Sequence, residues 1–298
     1  MRLLTGYVKS TAMLHVDLSS TFKEEVERLS AGSKARAIAV AVHDFESGLR
    51  FSLRGDRWFH AASTIKVAIL LAVFRAADEG RLHLDDSLHV RNRFVSAADG
   101  SPFRLNPDSD AMPELYHLVG RTAKISTLAE GMIAASSNLA TNLLLDFIGV
   151  EYAREVLRDA EVDGVKLRRG VEDHAAHERG INNEVTADGL VSLLSAVRGD
   201  FLRNESKERA ISILLEQRFN SMLPARLPPH AAVAHKTGEI STACHDMGIV
   251  YLPEREPYIA VILTEFNSGG NGRRETVATI SEAIYRLIVG AEPKPNGR

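Results

Sequence analysis

The sequence predicts an α+β fold: an antiparallel five-stranded sheet flanked by helices, with an inserted all-α lobe. Two runs of alternating apolar residues lie near the start of the chain and three near its end, whereas the part between them has the apolar period of helices. Consecutive strands that are joined by short turns pair in antiparallel fashion. Since strands from both ends must share one sheet, we expect the helical block beside it, with a cleft between the two lobes.

The predicted elements divide the chain into three parts, which together form one domain. Residues 1–35 are an N-terminal helical segment, in which STFKEEVERLSAG has a polar cap and a glycine stop. The sheet lobe comprises residues 36–62, with a hairpin around DFESG, and residues 219–298, with three strands and a final amphipathic helix that ends at Gly290. Residues 63–218 are the mainly helical lobe.

Composition excludes several classes of function. The formal net charge of −3 over 298 residues gives no basic surface for nucleic acid, and no apolar stretch reaches the roughly 18 residues of a membrane span. The only cysteine, Cys244, excludes an internal disulfide, and no Cys/His cluster has zinc spacing. We therefore expect no metal and no cofactor, and a monomer that acts on a small molecule. The first twenty residues lack a sustained apolar core, so no signal peptide is predicted.

The stretch HAASTIKVAIL, residues 60–70, places a serine and a lysine at the start of a strongly apolar helix. Ser63 lies at the N-terminal end, where free N–H groups favour negative charge, and Lys66 shares its face one turn along. Burial of Lys66 would lower its pKa and make it a proton acceptor. The alternative is a helix cap followed by a lysine that extends to water.

Two later stretches have the same ambiguity when each is taken alone. Ser136, Ser137 and Asn138 interrupt an apolar helical period and indicate a polar corner between two helices. Lys236-Thr237-Gly238 lies near the end of a strand, where lysine and glycine are common for structural reasons. Gly238 would also let a substrate lie along the strand, and the lysine and threonine could hold a carboxylate.

Taken together in this order, S-x-x-K, S-x-N and K-T-G resemble the motif set of serine β-lactamases and penicillin-binding proteins, most closely the class A β-lactamase-like branch. The resemblance covers about residues 36–290 and extends to MIAASSNLATNLLLDFIG and to VAHKTG before HDMGIVY. It implies a serine hydrolase that opens a β-lactam amide through an acyl-enzyme.

The resemblance also implies a role for each matching residue. Ser63 would be the acylated nucleophile, Lys66 a proton acceptor and Ser136 the group that relays a proton to the leaving nitrogen. Asn138 would bind the side-chain amide of the substrate. The remaining groups lie on the strand: Lys236 and Thr237 would bind the carboxylate, and the oxyanion would be held by the N–H of Ser63 and the N–H that follows Gly238, on Glu239.

The sequence departs from the class A pattern in three places. Ser137 stands where the pattern has an aspartate that supports the corner, and residues 91–115 form an extra loop that would overhang the cleft. The glutamate that activates the hydrolytic water should precede NNEVTADGL, which makes Glu172 the first candidate and Glu178 the second. The surrounding Glu-x-x-Leu-Asn arrangement of the family is absent.

These departures leave two alternative functions open. One is an acyl-enzyme activity on a related amide or ester, such as a D-alanyl peptide. The other is a penicillin-recognising binding domain that is acylated without turnover. The cellular location also stays open, because the family usually works outside the cytoplasm whereas this chain shows no export signal.

Overall fold

Five antiparallel strands form the central sheet, in the order β10-β11-β12-β1-β2, and this confirms the predicted α+β architecture. The computed structural model describes residues 20–267 and 272–290. The strands of the chain are β1 Ala35–Asp44, β2 Arg50–Leu53, β3 Phe59–His60, β4 Ser87–His89, β5 Phe94–Val95, β6 Pro102–Phe103, β7 Thr122–Lys124, β8 Val165–Lys166, β9 Glu184–Val185, β10 Ala232–Ile240, β11 Ala243–Tyr251 and β12 Tyr258–Phe266.

Helices cover both faces of this sheet. They are α1 (residues 20–32), α2 Lys66–Asp78, α3 Ile125–Ala134, α4 Asn138–Ile148, α5 Val150–Asp159, α6 His174–Glu178, α7 Ala187–Arg198, α8 Asn204–Leu215 and α9 Arg273–Val289. The final helix ends at Gly290, as predicted, because that residue has the left-handed conformation with φ 67°. The first part of the N-terminal segment, residues 1–19, lies outside the described residues.

The central strand β1 separates two hydrophobic cores. Its alternate residues Ala37, Ala39 and Ala41 belong to the core shared with the helical lobe, whereas Ile38, Val40 and Val42 belong to the core under α1 and α9. This is the period of two that a strand imposes on its side chains. The alanines leave room for α7 to pack closely on that face of the sheet.

Helix α2 is the centre of the helical lobe. Eleven of its 13 residues are buried, and these include Lys66 at its first position. A helix that is apolar on nearly all sides must be enclosed by other elements, and α3, α4, α5, α7 and α8 supply this enclosure. The lysine at its start is therefore withdrawn from water by the fold.

The lobe of residues 63–218 is less helical than the sequence indicated. Residues 81–124 contain no α-helix: they form 3₁₀ turns and the short strand pairs β4–β7 and β5–β6. Pro102, Pro107 and Pro113 interrupt this stretch, and proline removes a helical N–H. Residues 59 and 60, which fall within the predicted sheet lobe, form the strand β3, and this strand belongs to a separate three-stranded sheet with β9 and β8.

Two further properties concern only the part of the chain that the structure describes. Within residues 20–267 and 272–290, no helix has both the length and the apolar character needed to cross a membrane. The same residues contain no cluster of three or more His, Cys, Asp or Glu side chains suited to a metal ion. Cys244 is buried with its Sγ 3.3 Å from the Sδ atom of Met222, and burial raises the pKa of its thiol to about 12.

Candidate active site

A cleft of about 210 Å³ lies between the two lobes and collects residues from distant parts of the sequence. The predicted residues that line it are Ser63, Ser136, Asn138, Thr237 and Glu239. Ser63 comes from the 3₁₀ turn Ala62–Ile65 that leads into α2, and it is half-buried. The structure therefore brings all three predicted motifs to one place.

The turn that carries Ser63 is held in an uncommon conformation. Ala62, directly before the serine, has φ 46°, in the left-handed region that costs a residue with a side chain about 1–2 kcal/mol. The N–H of Ala62 donates to Nδ1 of His60 at 3.0 Å. Burial, followed by Arg169 and His177, lowers the pKa of His60 to about 4, so its ring is neutral and able to accept this hydrogen bond near neutral pH.

Gly238 lets strand β10 pack directly against this turn. A Cβ atom at position 238 would lie 3.0 Å from Cγ2 of Thr64 and 3.3 Å from the backbone nitrogen of Ser63. The sequence predicts that this glycine makes room for a substrate along the strand. The structure adds a second reason, because any side chain here would push the strand away from the serine turn.

Lys66 is fully buried and holds the polar corner in place. Its Nζ donates to the carbonyl oxygen of Ser136 at 2.7 Å and to Oδ1 of Asn138 at 2.8 Å, and it lies 3.1 Å from the Ser136 hydroxyl. Burial lowers the pKa of Lys66 to about 7, against the opposing effect of the carboxylates of Asp110 and Glu172. At neutral pH a substantial fraction of this amine is therefore uncharged.

The hydroxyl of Ser136 lies between two buried amines. Its Oγ is 3.1 Å from Nζ of Lys66 and 3.0 Å from Nζ of Lys236. A neutral Lys66 has two N–H groups, which the carbonyl of Ser136 and the amide of Asn138 accept, and one lone pair. That lone pair can accept a proton from a hydroxyl of the cleft, and Lys236 donates to the Ser136 oxygen.

The second amine, Lys236, lies behind the cleft wall rather than in the cleft. It is fully buried, and its Nζ also donates to the carbonyl oxygen of Thr237 at 3.0 Å. Burial and the neighbouring Lys66 lower its pKa well below the usual lysine value. Of the K-T-G triplet, Thr237 is the residue that lines the cleft.

Asn138 links the lysine to the predicted glutamate. Its Oδ1 accepts from Lys66, and its Nδ2 donates to Oε1 of Glu172 at 2.6 Å. One amide N–H and one lone pair remain for a substrate. Glu172 is half-buried, and burial raises the pKa of its carboxyl above the usual value, with the Asn138 hydrogen bond as the largest opposing effect.

The loop of residues 167–183, between β8 and β9, positions Glu172 and not Glu178. Asn142 on α4 accepts from the N–H of Val171 at 2.8 Å and donates to the carbonyl oxygen of the same residue at 3.0 Å. This pair of bonds fixes the backbone next to Glu172. Glu178 lies exposed at the end of α6, outside the cleft.

At the other end of the cleft, two arginines neutralise Glu239. Its carboxylate accepts from Arg273 at 3.1 Å and from Arg274 at 2.8 Å, both at the start of α9. Arg274 also lines the cleft. Two cations for one carboxylate make this end of the cleft net positive, which favours an anionic substrate group.

Three backbone positions mark the site as strained. Of the seven non-glycine residues with positive φ among those the structure describes, Ala62, Ser136 and Glu172 belong to this site. Such conformations persist only where the surroundings enforce them, and they concentrate at functional sites. The N–H of Ser137 donates to the carbonyl oxygen of Gly131 at 3.0 Å, and this hydrogen bond supports the left-handed backbone conformation of Ser136.

Sequence reasoning missed four residues that shape this site. His60 contacts the serine turn, and Asp110 contacts the start of α4. Asn142 contacts the 167–183 loop, and Arg274 contacts Glu239. Asn142 carried a signal, since it is a polar residue one turn after Asn138 on an apolar helix. Asp110 carried none, because nothing local ties it to residues 137–139.

This chain is similar to known proteins over most of its length. The model of the Beta-lactamase enzyme family matches residues 21–288. The Beta-lactamase ROB-1 of Haemophilus influenzae is 26% identical over 275 residues, which cover 90% of this chain and 85% of that protein. A Beta-lactamase of Rhodobacter capsulatus is 29% identical over 296 residues, with 96% of each chain covered.

Among solved structures, PBP-A has a TM-score of 0.77 to this chain at 24% sequence identity, with 91% of this chain and 97% of PBP-A covered. The same fold has been determined as an acyl-enzyme complex of a PBP-A mutant with penicillin G. This likeness concerns the fold, and it agrees with the five-stranded sheet and the helical lobe described above.

Proposed function

Because this chain belongs to the β-lactamase enzyme family and is a serine hydrolase of the class A β-lactamase-like type, we propose that it opens the β-lactam amide through an acyl-enzyme on Ser63. One observation carries the assignment of the residues. The hydroxyl of Ser136, in the same cleft as Ser63, is within 3.1 Å of two fully buried lysines that come from the two other predicted motifs.

In the acylation step, neutral Lys66 takes the proton of Ser63, and Ser63 Oγ forms a bond to the carbonyl carbon of the substrate. The negative charge that develops on the carbonyl oxygen is held by the N–H groups of Ser63 and Glu239. Collapse of this intermediate breaks the C–N bond. Ser136 gives its proton to the leaving nitrogen and is reprotonated by Lys66.

Substrate binding uses both ends of the cleft. Thr237 donates its hydroxyl to the substrate carboxylate, with Arg274 as a nearby cation and Lys236 behind the same wall of the cleft. Asn138 binds the side-chain amide with the N–H and lone pair that Lys66 and Glu172 leave free. A small molecule with one carboxylate and one amide side chain fits these groups.

In the deacylation step, Glu172 acts as the general base. It removes a proton from a water molecule, whose oxygen forms a bond to the ester carbon. The bond from that carbon to Ser63 Oγ then breaks, and the proton held by Glu172 is returned to Ser63 Oγ, so the free serine and the ionised glutamate are regenerated. Burial raises the pKa of Glu172, and this strengthens its carboxylate as a base. Asn138 and Asn142 hold the carboxylate and its backbone.

A chromogenic cephalosporin tests the proposal directly. We expect sustained colour release with many turnovers per enzyme and an unmodified protein mass once the substrate is consumed. A permanent adduct of one substrate per chain would instead identify an acylated binding domain or a peptidase-like enzyme. No colour and no adduct would contradict a β-lactam substrate, and an ester or D-alanyl peptide would then be assayed in its place.

The rate of acylation should depend on pH through Lys66. The amine accepts a proton only when neutral, so kcat/KM should fall about tenfold per pH unit below pH 7 and reach a plateau above it. Stopped-flow acylation between pH 5 and 9 measures this profile, with circular dichroism as the control for folding. His60 and His245, whose pKa values burial lowers to about 4, do not titrate in this range. A flat profile would exclude Lys66 as the base.

A further inference from the structure

The side chain of Asp110 reaches from the 91–115 loop to the start of α4. One of its oxygens, Oδ2, accepts from the backbone N–H groups of Asn138 and Leu139, both at 2.9 Å. The hydroxyls of Tyr116 and Ser137 contact the same oxygen at 3.1 and 3.3 Å. The residue is 7% exposed, so these contacts lie almost entirely away from water.

These contacts make Asp110 the acidic group at the N-terminus of α4. Free N–H groups and the helix dipole favour a negative charge there. The helix cap itself is Ser137, which is neutral and whose Oγ accepts from the N–H of Ala140 at 3.2 Å. The charge therefore comes from a residue 28 positions away in the chain rather than from the corner itself.

The corner that Asp110 holds is the one that carries the reacting groups. Ser136 and Asn138, on either side of Ser137, are the two residues that Lys66 contacts. The left-handed backbone of Ser136 has to be enforced by its surroundings. Bonds to the N–H groups of Asn138 and Leu139 fix the residues that follow this strained position.

We propose that Asp110 is a positioning residue of the acylation reaction, and that its carboxylate, supplied by the 91–115 loop, takes the place of an acidic residue at position 137. This inference rests on the proposed function. It assigns to the extra loop a defined task in addition to lining the cleft with Ser109 and Ala111.

Substitution of Asp110 tests the proposal by activity and by pH profile. Asp110→Ala removes the acceptor and the charge, and a displaced corner should lower kcat/KM by about 10²-fold. Asp110→Asn keeps an acceptor but removes the charge, so its loss should be smaller. The matched control is Asp108→Asn, an exposed residue of the same loop, which should retain full activity.

The pH profile separates positioning from a general loss of stability. The groups that face Lys66 are Asp110, Glu172 from the 167–183 loop and Lys236 from β10. Asp110 raises the pKa of Lys66 and also that of Glu172. In Asp110→Asn both pKa values fall, and the acid limb of kcat/KM should move to lower pH. An unchanged limb would contradict the proposal.

A rescue experiment tests whether an aspartate at position 137 can replace the carboxylate of Asp110. Ser137 Oγ is 3.3 Å from Asp110 Oδ2, so an aspartate at 137 would bring its carboxylate to the same place and remain a good helix cap. Ser137→Asp alone should reduce activity, because two carboxylates would then meet in a buried site. When Ser137→Asp is added to the Asp110→Ala protein, kcat/KM should rise at least tenfold above that of Asp110→Ala. Additive losses in the double variant would overturn the proposal.

A titration without substrate separates this proposal from the proposed function. The Cε signal of ¹³C-labelled Lys66, assigned with Lys66→Arg, reports the pKa of that amine directly. We expect it to titrate at lower pH in Asp110→Asn than in the unchanged protein and in Asp108→Asn. If the protein opens no β-lactam, this shift still tests Asp110. If the Lys66 signal is the same in all three proteins, Asp110 has no such role. Should Asp110→Ala fail to fold, Asp110→Asn carries both measurements.

Discussion

Replacement of Ser63 by alanine is expected to lower kcat for a chromogenic cephalosporin by about 10⁶-fold, as is typical when a covalent nucleophile is removed. No other hydroxyl takes its position on the turn before α2, and the groups around it then have no oxygen to activate. Intact-mass spectrometry after mixing should show no adduct, whereas the unchanged protein passes through one.

The matched control for this substitution is Ser192→Ala. Ser192 is on α7, outside the cleft, with its hydroxyl 3.2 Å from the carbonyl of Asp188. It should leave both kcat and the adduct unaffected. If Ser63→Ala retained more than about a hundredth of the activity, or if its adduct persisted, the nucleophile would have to be sought among the other cleft serines, Ser109, Ser136 and Ser221.

The Glu172→Gln variant is expected to become trapped as the acyl-enzyme. Removal of the general base should slow deacylation by about 10²–10⁴-fold and leave acylation nearly unchanged. The glutamine can still accept from Nδ2 of Asn138, so the hydrogen bond to Oε1 of Glu172 has a replacement. Colour release should then show one rapid turnover per enzyme, and the mass of the protein should increase by one opened substrate.

The second candidate for this role provides the control. Glu178→Gln changes the same type of side chain in the same loop, but at an exposed position outside the cleft. We expect it to turn over at the normal rate with no accumulated adduct. Deacylation of Glu172→Gln within about threefold of the unchanged protein would show that water is activated by another group.

The fold was largely predictable because its signals are local. The strand period, the DFESG turn and the apolar α2 each lie within one short window, and the structure confirms the five-stranded sheet that they imply. The three motifs were predictable as well, since each has its residues within four positions. Their meeting in one cleft follows from the family resemblance, which the comparisons confirm.

The features that could not be predicted from the sequence depend mainly on contacts between distant segments of the chain. Asp110 is an ordinary loop aspartate until the fold carries it to the N–H groups of Asn138 and Leu139. His60 is one residue among the apolar neighbours of Ser63, and only the turn geometry turns its Nδ1 toward Ala62. Helical periodicity also failed for residues 81–124, where prolines favour turns over helix.

The pairing of β1 with β12 has a consequence for how this protein is made. Asp44 pairs with Tyr258 across the sheet, so roughly two hundred residues must be synthesised after β1 before it can pair with β12, whereas its other partner β2 follows it directly. At about 5–20 residues per second, that delay is on the order of 10–40 s. During this delay the helical lobe can collapse locally, while the edge of β1 that will pair with β12 stays unpaired. The serine turn packs against β10, so it can complete these contacts only after residues 232–240 have been synthesised.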